Sequence, residues 1–179
     1  MVEPVFISQE DIFLRPMTNA DIVDGYYNAF NNFSLTKTNS HGSFPVGQRS
    51  AEEVLEDMAE KKSIRLMICL NKKETAIGVC SIQNIDFINR HAEIARFIWD
   101  EDVRGKGLGT QVLRGLVNHC FLVLNLYKVY LGNASFNTAA IKSARKVGFK
   151  QDGVLRNHLF KQGTYHDVIL SSLFLEELI

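Results

Sequence analysis

The chain has 179 residues, 46% of them hydrophobic, which suits one globular domain with a sizeable core. Twenty Lys and Arg balance twenty Asp and Glu, so net charge gives no pull toward nucleic acid or an anionic membrane. The three cysteines, Cys69, Cys80 and Cys120, are odd in number and lack paired spacing, which argues against a disulfide framework or a cysteine zinc site.

The elements follow in chain order. No basic segment followed by a long apolar run opens the chain, so no signal peptide is visible. No stretch reaches the ~18 apolar residues of a membrane span. With cysteines read as buried thiols, a cytoplasmic protein is expected. "IFLRP" reads as a short strand ending at Pro16, and "TNADIVDGYYNAF" as a helix capped by Thr18 or Asn19. "NNFSLTKTNSHGSFPVGQ" is polar and reads as a long loop, a place where function concentrates. "SAEEVLEDMAEKK" opens with a capping box, Ser50 to Glu53, and reads as a second helix. The strands "IRLMICL", "TAIGVCSIQNI" and "HAEIARFIW" come next. A helix starts near Leu108, its apolar face built from Leu108, Val112, Leu113, Leu116, Val117, Cys120, Phe121 and Leu124. "KVYLGNAS" is a strand and "NTAAIKSARKV" a helix with Asn137 as N-cap. Two strands near Phe149–Phe160 and Tyr165–Leu173, joined through "KQG", close the chain. The order predicts a mixed α/β sheet around one central strand–loop–helix unit. The terminal "VILSSLFLEELI" is apolar enough for a core strand or for packing across a homodimer.

The turn "RGKGLG" before the Leu108 helix carries the chemistry. Gly105, Gly107 and Gly109 let the backbone wrap closely, the helix start offers unpaired N–H groups and about half a positive charge, and Arg104 and Lys106 add donors. These features make a pyrophosphate cradle. The spacing fits neither a P-loop, which needs Gly-Lys-Ser/Thr, nor a dinucleotide fingerprint, which needs Gly-x-Gly-x-x-Gly and a later acid. A bare tight turn would need one or two glycines.

"RGKGLGT" resembles the Arg/Gln-x-x-Gly-x-Gly/Ala acetyl-CoA motif of the GNAT superfamily of N-acetyltransferases. "HAEIARFIWDEDVRGKGLGT" is similar to that family's fourth strand and pyrophosphate loop, and "SFNTAAIKSARKVGF" to the segment after its fifth strand. "GVLRNHLFKQGTYHDVILSSLF" resembles the final hairpin of the branch that holds ribosomal-protein N-terminal, polyamine and amino-sugar acetyltransferases. The likeness runs from Ile12 onward and is weakest between Tyr26 and Ser50. It implies a single α/β domain over residues 1–179, with a mixed, mostly antiparallel sheet flanked by helices and central strands splayed to admit acetyl-CoA. It implies direct transfer of acetyl from acetyl-CoA to a primary amine, or else a non-catalytic acetyl-CoA-binding sensor or scaffold.

Carried onto this chain, the resemblance places the pantetheine arm against Phe97, Ile98 and Trp99, with a backbone N–H near Ile98 polarising the thioester. The diphosphate falls on Arg104, Gly105, Lys106, Gly107, Leu108, Gly109 and Thr110, and Asn137 contacts the co-substrate. Glu93 is the candidate base, since the reaction needs a neutral amine. The residues alone also allow simpler roles: Phe97 and Trp99 as core, Asn137 as a cap, and Glu93 paired with Arg90 or Arg96. His91 shares a strand face with Glu93 and ranks second as base or orienting group, followed by His41, His158 and His166. The family's proton-donating Tyr is replaced by Ala144, and a Ser sometimes used one turn earlier by Ala140; Ser143 points elsewhere. Water, Tyr165 or the substrate ammonium is left to protonate the thiolate. "GTYHDV" reads as architecture, with Gly163 in the turn and Asp167 capping local N–H groups. Asp21, Asp24, Glu52, Glu53, Glu56 and Asp57 read as a solvated helix surface, and the hydroxyl- and amide-rich loop suits a sugar nucleotide or peptide better than a polycation. No metal site is expected.

Overall fold

The computed structural model describes residues 4–39, 43, 45–46, 53, 56 and 63–178. The helix expected over "SAEEVLEDMAEKK", and His41 before it, fall almost wholly outside the described residues. Eight strands form one sheet: β1 Ile7–Ser8, β2 Ile12–Pro16, β3 Ile64–Leu70, β4 Lys73–Asp86, β5 His91–Ile98, β6 Lys128–Ala134, β7 Lys150–Lys161 and β8 Thr164–Phe174. Their spatial order is β1-β2-β3-β4-β5-β6-β8-β7. Every pairing is antiparallel except β5 with β6. The parallel pair needs a crossover, and the helix after the glycine turn supplies it.

Among the described residues the α-helices are α1 Asn19–Asp21, α2 Tyr27–Asn31, α3 Phe33–Thr36, α4 Leu108–Asn118 and α5 Thr138–Val147. Two wider π-helical turns, Ile22–Tyr26 and His119–Val123, extend this set. One joins α1 to α2 and the other continues α4. A short helix, α3, stands inside what reads from sequence as loop, because the Asn32 side chain accepts from the N–H groups of Ser34 and Leu35 and caps it. On one sheet face, α4 and the π-helical turn after it bury Leu108, Val112, Leu113, Leu116, Val117, Cys120 and Phe121, the stripe the spacing predicts. On the other face, Met17, Ile22, Phe30, Met67, Cys69 and Val79 make a second cluster, with Phe97 and Trp99 packed against it. All three cysteines are free and buried.

β8 lies between β6 and β7; of the apolar strand residues in "VILSSLFLEELI", Leu173 is fully buried, while Val168, Ile169, Leu170 and Phe174 are partly buried. Gln162 and Gly163 both have positive φ and join β7 to β8 in a two-residue turn of the twist hairpins favour. Asp167 accepts from the Asn157 N–H across that hairpin at 2.8 Å, as its capping role predicts. Among the described residues no helix is long and apolar enough to cross a membrane.

One acidic residue departs from the surface reading. Asp21 is 8% exposed and receives two 2.7 Å bonds from the Arg15 guanidinium. It also accepts from the Thr18 N–H and hydroxyl at 2.8 Å, which identifies Thr18 as the helix cap. Helical periodicity placed Asp21 outside because its partner sits on the preceding strand, not on the helix.

Candidate active site

The site begins where the sheet opens. β5 and β6 pair only through His91–Lys128, Ala92–Val129 and Glu93–Tyr130, and past Glu93 the facing edges have no ladder partner. The open edge is set by alternation. Trp99 N–H donates to Ile77 O at 3.0 Å, so the odd positions of this stretch turn their backbone groups to β4. Ile94, Arg96 and Ile98 therefore direct N–H and C=O into the gap. The central strands are splayed as expected, and Ile98 lies on the open edge of β5. Gly78 makes the β4 side fit: a β-carbon there would lie 2.5 Å from Phe97 O.

The glycine turn closes one end of the gap. Gly105 and Gly107 take φ of 78° and 81°, a region L side chains avoid, and Gly107 is the residue from which α4 starts. Arg104 N–H donates to Glu101 O at 3.2 Å and Thr110 N–H to Gly107 O at 2.9 Å, so both ends of the cradle are already engaged. The N–H groups from Gly105 to Gly109 between them make no such loop bond among the described residues. The Arg104 side chain pairs with Glu101 instead of reaching over the turn, while Lys106 is exposed. Gly109 serves differently, because it lies in the helix and its missing side chain leaves room for Arg96, whose Nε is 3.3 Å from where a β-carbon would be.

Asn137 behaves as the cap its position suggests. Its side-chain oxygen accepts from Ala140 N–H at 3.2 Å, and its Nδ2 reaches Thr38 O at 3.5 Å. Ala144 is 2% exposed and presents only a methyl group. Ser143 turns toward α4, where its hydroxyl meets Thr110 Oγ1 at 3.0 Å.

Glu93, Phe97 and Trp99 share the sheet face opposite α4. Phe97 packs edge-on against Phe30 at 5.3 Å and Trp99 at 6.0 Å, and Gly25 lets Trp99 close in on the π-helical turn. Phe97 and Trp99 are packed side chains, and their backbone groups face β4 and not the gap, so of the three expected positions only Ile98 turns its backbone to the open edge. Glu93 pairs with neither expected arginine. Arg90 bonds Asn125, and Arg96 bonds Ala140 O on the other face. The Glu93 carboxylate instead accepts from Asn84 Nδ2 at 2.8 Å. Asn84 sits where β4 shifts register against β5, with φ of 52°, and that kink lets it reach Glu93. Tyr130, the β6 register partner of Glu93, has its hydroxyl pKa raised by burial and by the Glu93 charge.

His91 packs edge-on against Tyr130 at 5.8 Å, its Nε2 3.9 Å from Asp86, and its buried Nδ1 has no hydrogen-bond partner among the described residues. His158 is exposed, His166 packs tilted against Phe136, and Tyr165 stands 63% exposed beside Phe160 on the hairpin. None of these three adjoins Glu93 in a hydrogen bond. No cluster of His, Cys, Asp and Glu suited to a metal occurs among the described residues.

Sequence reasoning missed Asn84, Tyr130 and the setting of Arg96. An Asn inside a strand pattern hints at a bulge, but its target shows only once β4 and β5 are in register.

The model of an acetyltransferase (GNAT) domain matches residues 11–150. Spermidine N(1)-acetyltransferase of Escherichia coli K12 is 35% identical over 97 residues, 54% of this chain and 52% of that protein. The matched stretch thus spans about half the length of that relative. Spermidine N(1)-acetyltransferase of Vibrio cholerae is 30% identical over 128 residues, 69% of this chain and 73% of that one. The crystal structure of a Vibrio cholerae spermidine N-acetyltransferase in complex with CoA and spermine superposes with a TM-score of 0.80 at 24% identity, covering 94% of this chain and 98% of that one. At that identity the likeness speaks for the fold.

Proposed function

Because the chain belongs to the acetyltransferase (GNAT) family, we propose that it moves an acetyl group from acetyl-CoA to a primary amine by direct transfer. The observation that carries this reading is the gap between β5 and β6 opening beside the glycine turn. An extended arm laid in that gap finds a strand edge to pair with, and a diphosphate at its end meets the N–H groups of Gly105 to Gly109 and the start of α4.

The Ile98 N–H, aimed into the gap, polarises the thioester carbonyl and steadies the oxyanion of the tetrahedral intermediate. The amine approaches from the face that bears Glu93, over Phe30, Phe97 and Trp99. Amines of pKa ~8–10 are mostly protonated at neutral pH, so Glu93 accepts the proton, directly or through a water. Asn84 holds the carboxylate in place while it does so. The intermediate then collapses, the C–S bond breaks, and coenzyme A leaves as its thiolate. With Ala144 offering no donor, the proton returns from water or from the substrate ammonium. A thiol pKa near 8.5 makes a dedicated acid dispensable.

The acceptor is a peptide N-terminus, an amino sugar or a polyamine. The pairing of Asp21 with Arg15 removes one acid from any polycation site. A thiol-release assay with acetyl-CoA against all three acceptor classes tests the reading. Turnover on one class supports the transferase and identifies the acceptor. Tight acetyl-CoA binding without turnover on a wide amine panel would turn the reading to a sensor.

A further inference from the structure

The side chains of Ala92, Ile94, Arg96 and Ile98 alternate onto the sheet face that carries α4 and α5. Ala92 and Ile94 are core and Ile98 packs against it, so Arg96 places a guanidinium in a row of apolar side chains. Its register partner on β4 is Cys80, whose thiol pKa burial raises and which therefore brings no charge. The guanidinium makes one long bond, Nη2 to Ala140 O at 3.4 Å, and meets no carboxylate among the described residues. Loss of solvent pushes its pKa down to about 10, which still leaves it charged at neutral pH.

A charge in such surroundings is costly unless something of opposite sign completes it. The chain supplies that completion for Arg15, through Asp21. For Arg96 it supplies instead a place against Gly109, in the first turn of α4 that follows the glycine turn. Gly109 leaves the first turn of α4 open to the guanidinium, and the Thr110 and Ser143 hydroxyls meet beside it. The residue as a whole is partly buried, although its charge has lost most of its solvent.

We infer that Arg96 is a binding residue of the acyl-donor site, its guanidinium completed by a negative group of coenzyme A, either the diphosphate at the glycine turn or the departing thiolate. This rests on the acetyl-CoA reading above. It adds a charged side chain from β5 to the backbone N–H groups and Lys106 of the glycine turn.

The test compares the wild-type protein with R96M, which keeps an unbranched apolar stem without the charge, and R96K, which keeps the charge. Acetyl-CoA and coenzyme A are each titrated by calorimetry at low and high salt, turnover is followed by thiol release, and melting temperature reports folding. If the diphosphate is the partner, R96M loses about tenfold in affinity for both ligands, its salt dependence flattens, and R96K recovers part of the loss. If the thiolate is the partner, R96M binds acetyl-CoA like the wild type, and kcat and coenzyme A affinity fall together. Wild-type affinities and kcat in both variants, with only the melting temperature changed, would assign Arg96 to structure and overturn the inference. A wild-type chain that binds no acetyl-CoA would sink the parent reading, and this one with it, whatever the variants do.

Discussion

Two corners of the sheet each hold an arginine, and the chain treats them in opposite ways. At the corner of β2 and α1, Arg15 is 7% exposed and bonded through two nitrogens to Asp21. Hydrogen bonding to Asp21 raises its pKa against the pull of burial. At the corner of β5, α4 and α5, Arg96 has among the described residues a single long bond to a backbone carbonyl, and burial lowers its pKa. A buried charge completed within the chain is architecture. A charge left without a counter-charge among the described residues, beside a splayed strand and a glycine turn, is the basis for the binding role inferred for Arg96. The first corner predicts effects on stability, and the second effects on binding and rate.

The largest expected effect breaks the completed corner. Asp21→Asn leaves Arg15 buried without a counter-charge and should cost about 3–5 kcal/mol in urea unfolding. Acetyl-CoA affinity of the folded fraction should not move. The cost should depend on pH. Burial pushes the Asp21 carboxyl up, but bonds from Arg15 and Thr18 outweigh it and hold the folded pKa below the ordinary 3.8. Its contribution is therefore complete above that value and lost as pH falls through the folded pKa. The gap between wild type and Asp21→Asn should shrink in strong acid; a gap constant from pH 7 down to pH ~2 would refute the ion-pair account.

Next comes chemistry at the open corner. Glu93→Gln keeps the bond geometry to Asn84 but cannot take a proton, so kcat should fall by about 100-fold, roughly 2.7 kcal/mol, with acetyl-CoA affinity unchanged. Loss of affinity with kcat intact would make Glu93 structural. Gly107→Val should cost about 1–2 kcal/mol of stability from its left-handed backbone and weaken acetyl-CoA binding at least tenfold in calorimetry. Open space surrounds the new β-carbon, so the fold should survive. Arg104→Ala is the smallest, because the side chain already pairs with Glu101 at the surface. It should change stability by under ~0.5 kcal/mol and affinity by no more than a few-fold.

The sequence made the donor side readable because that side is periodic and backbone-built. β2 and β3 have the ends that "IFLRP" and "IRLMICL" suggest, and every apolar position chosen on α4 except the partly buried Leu124 is core. The Ile7–Ser8 strand was not legible, since two residues show no alternation. Neither were the π-helical turns, because an apolar stripe reads alike with one extra residue per turn. The partners of Asp21, Glu93 and Arg96 were hidden for one common reason. Each lies on another element, and only the register of the sheet brings it near.

The most direct test is backbone amide exchange of the wild-type protein with and without acetyl-CoA, resolved residue by residue. The account predicts new protection at Gly105 to Gly109 and at Ile98, with little change at Phe97 and Trp99, whose backbone groups already face β4. Protection that spares the glycine turn and the gap edge of β5, while the ligand demonstrably binds, would place acetyl-CoA elsewhere and contradict the account.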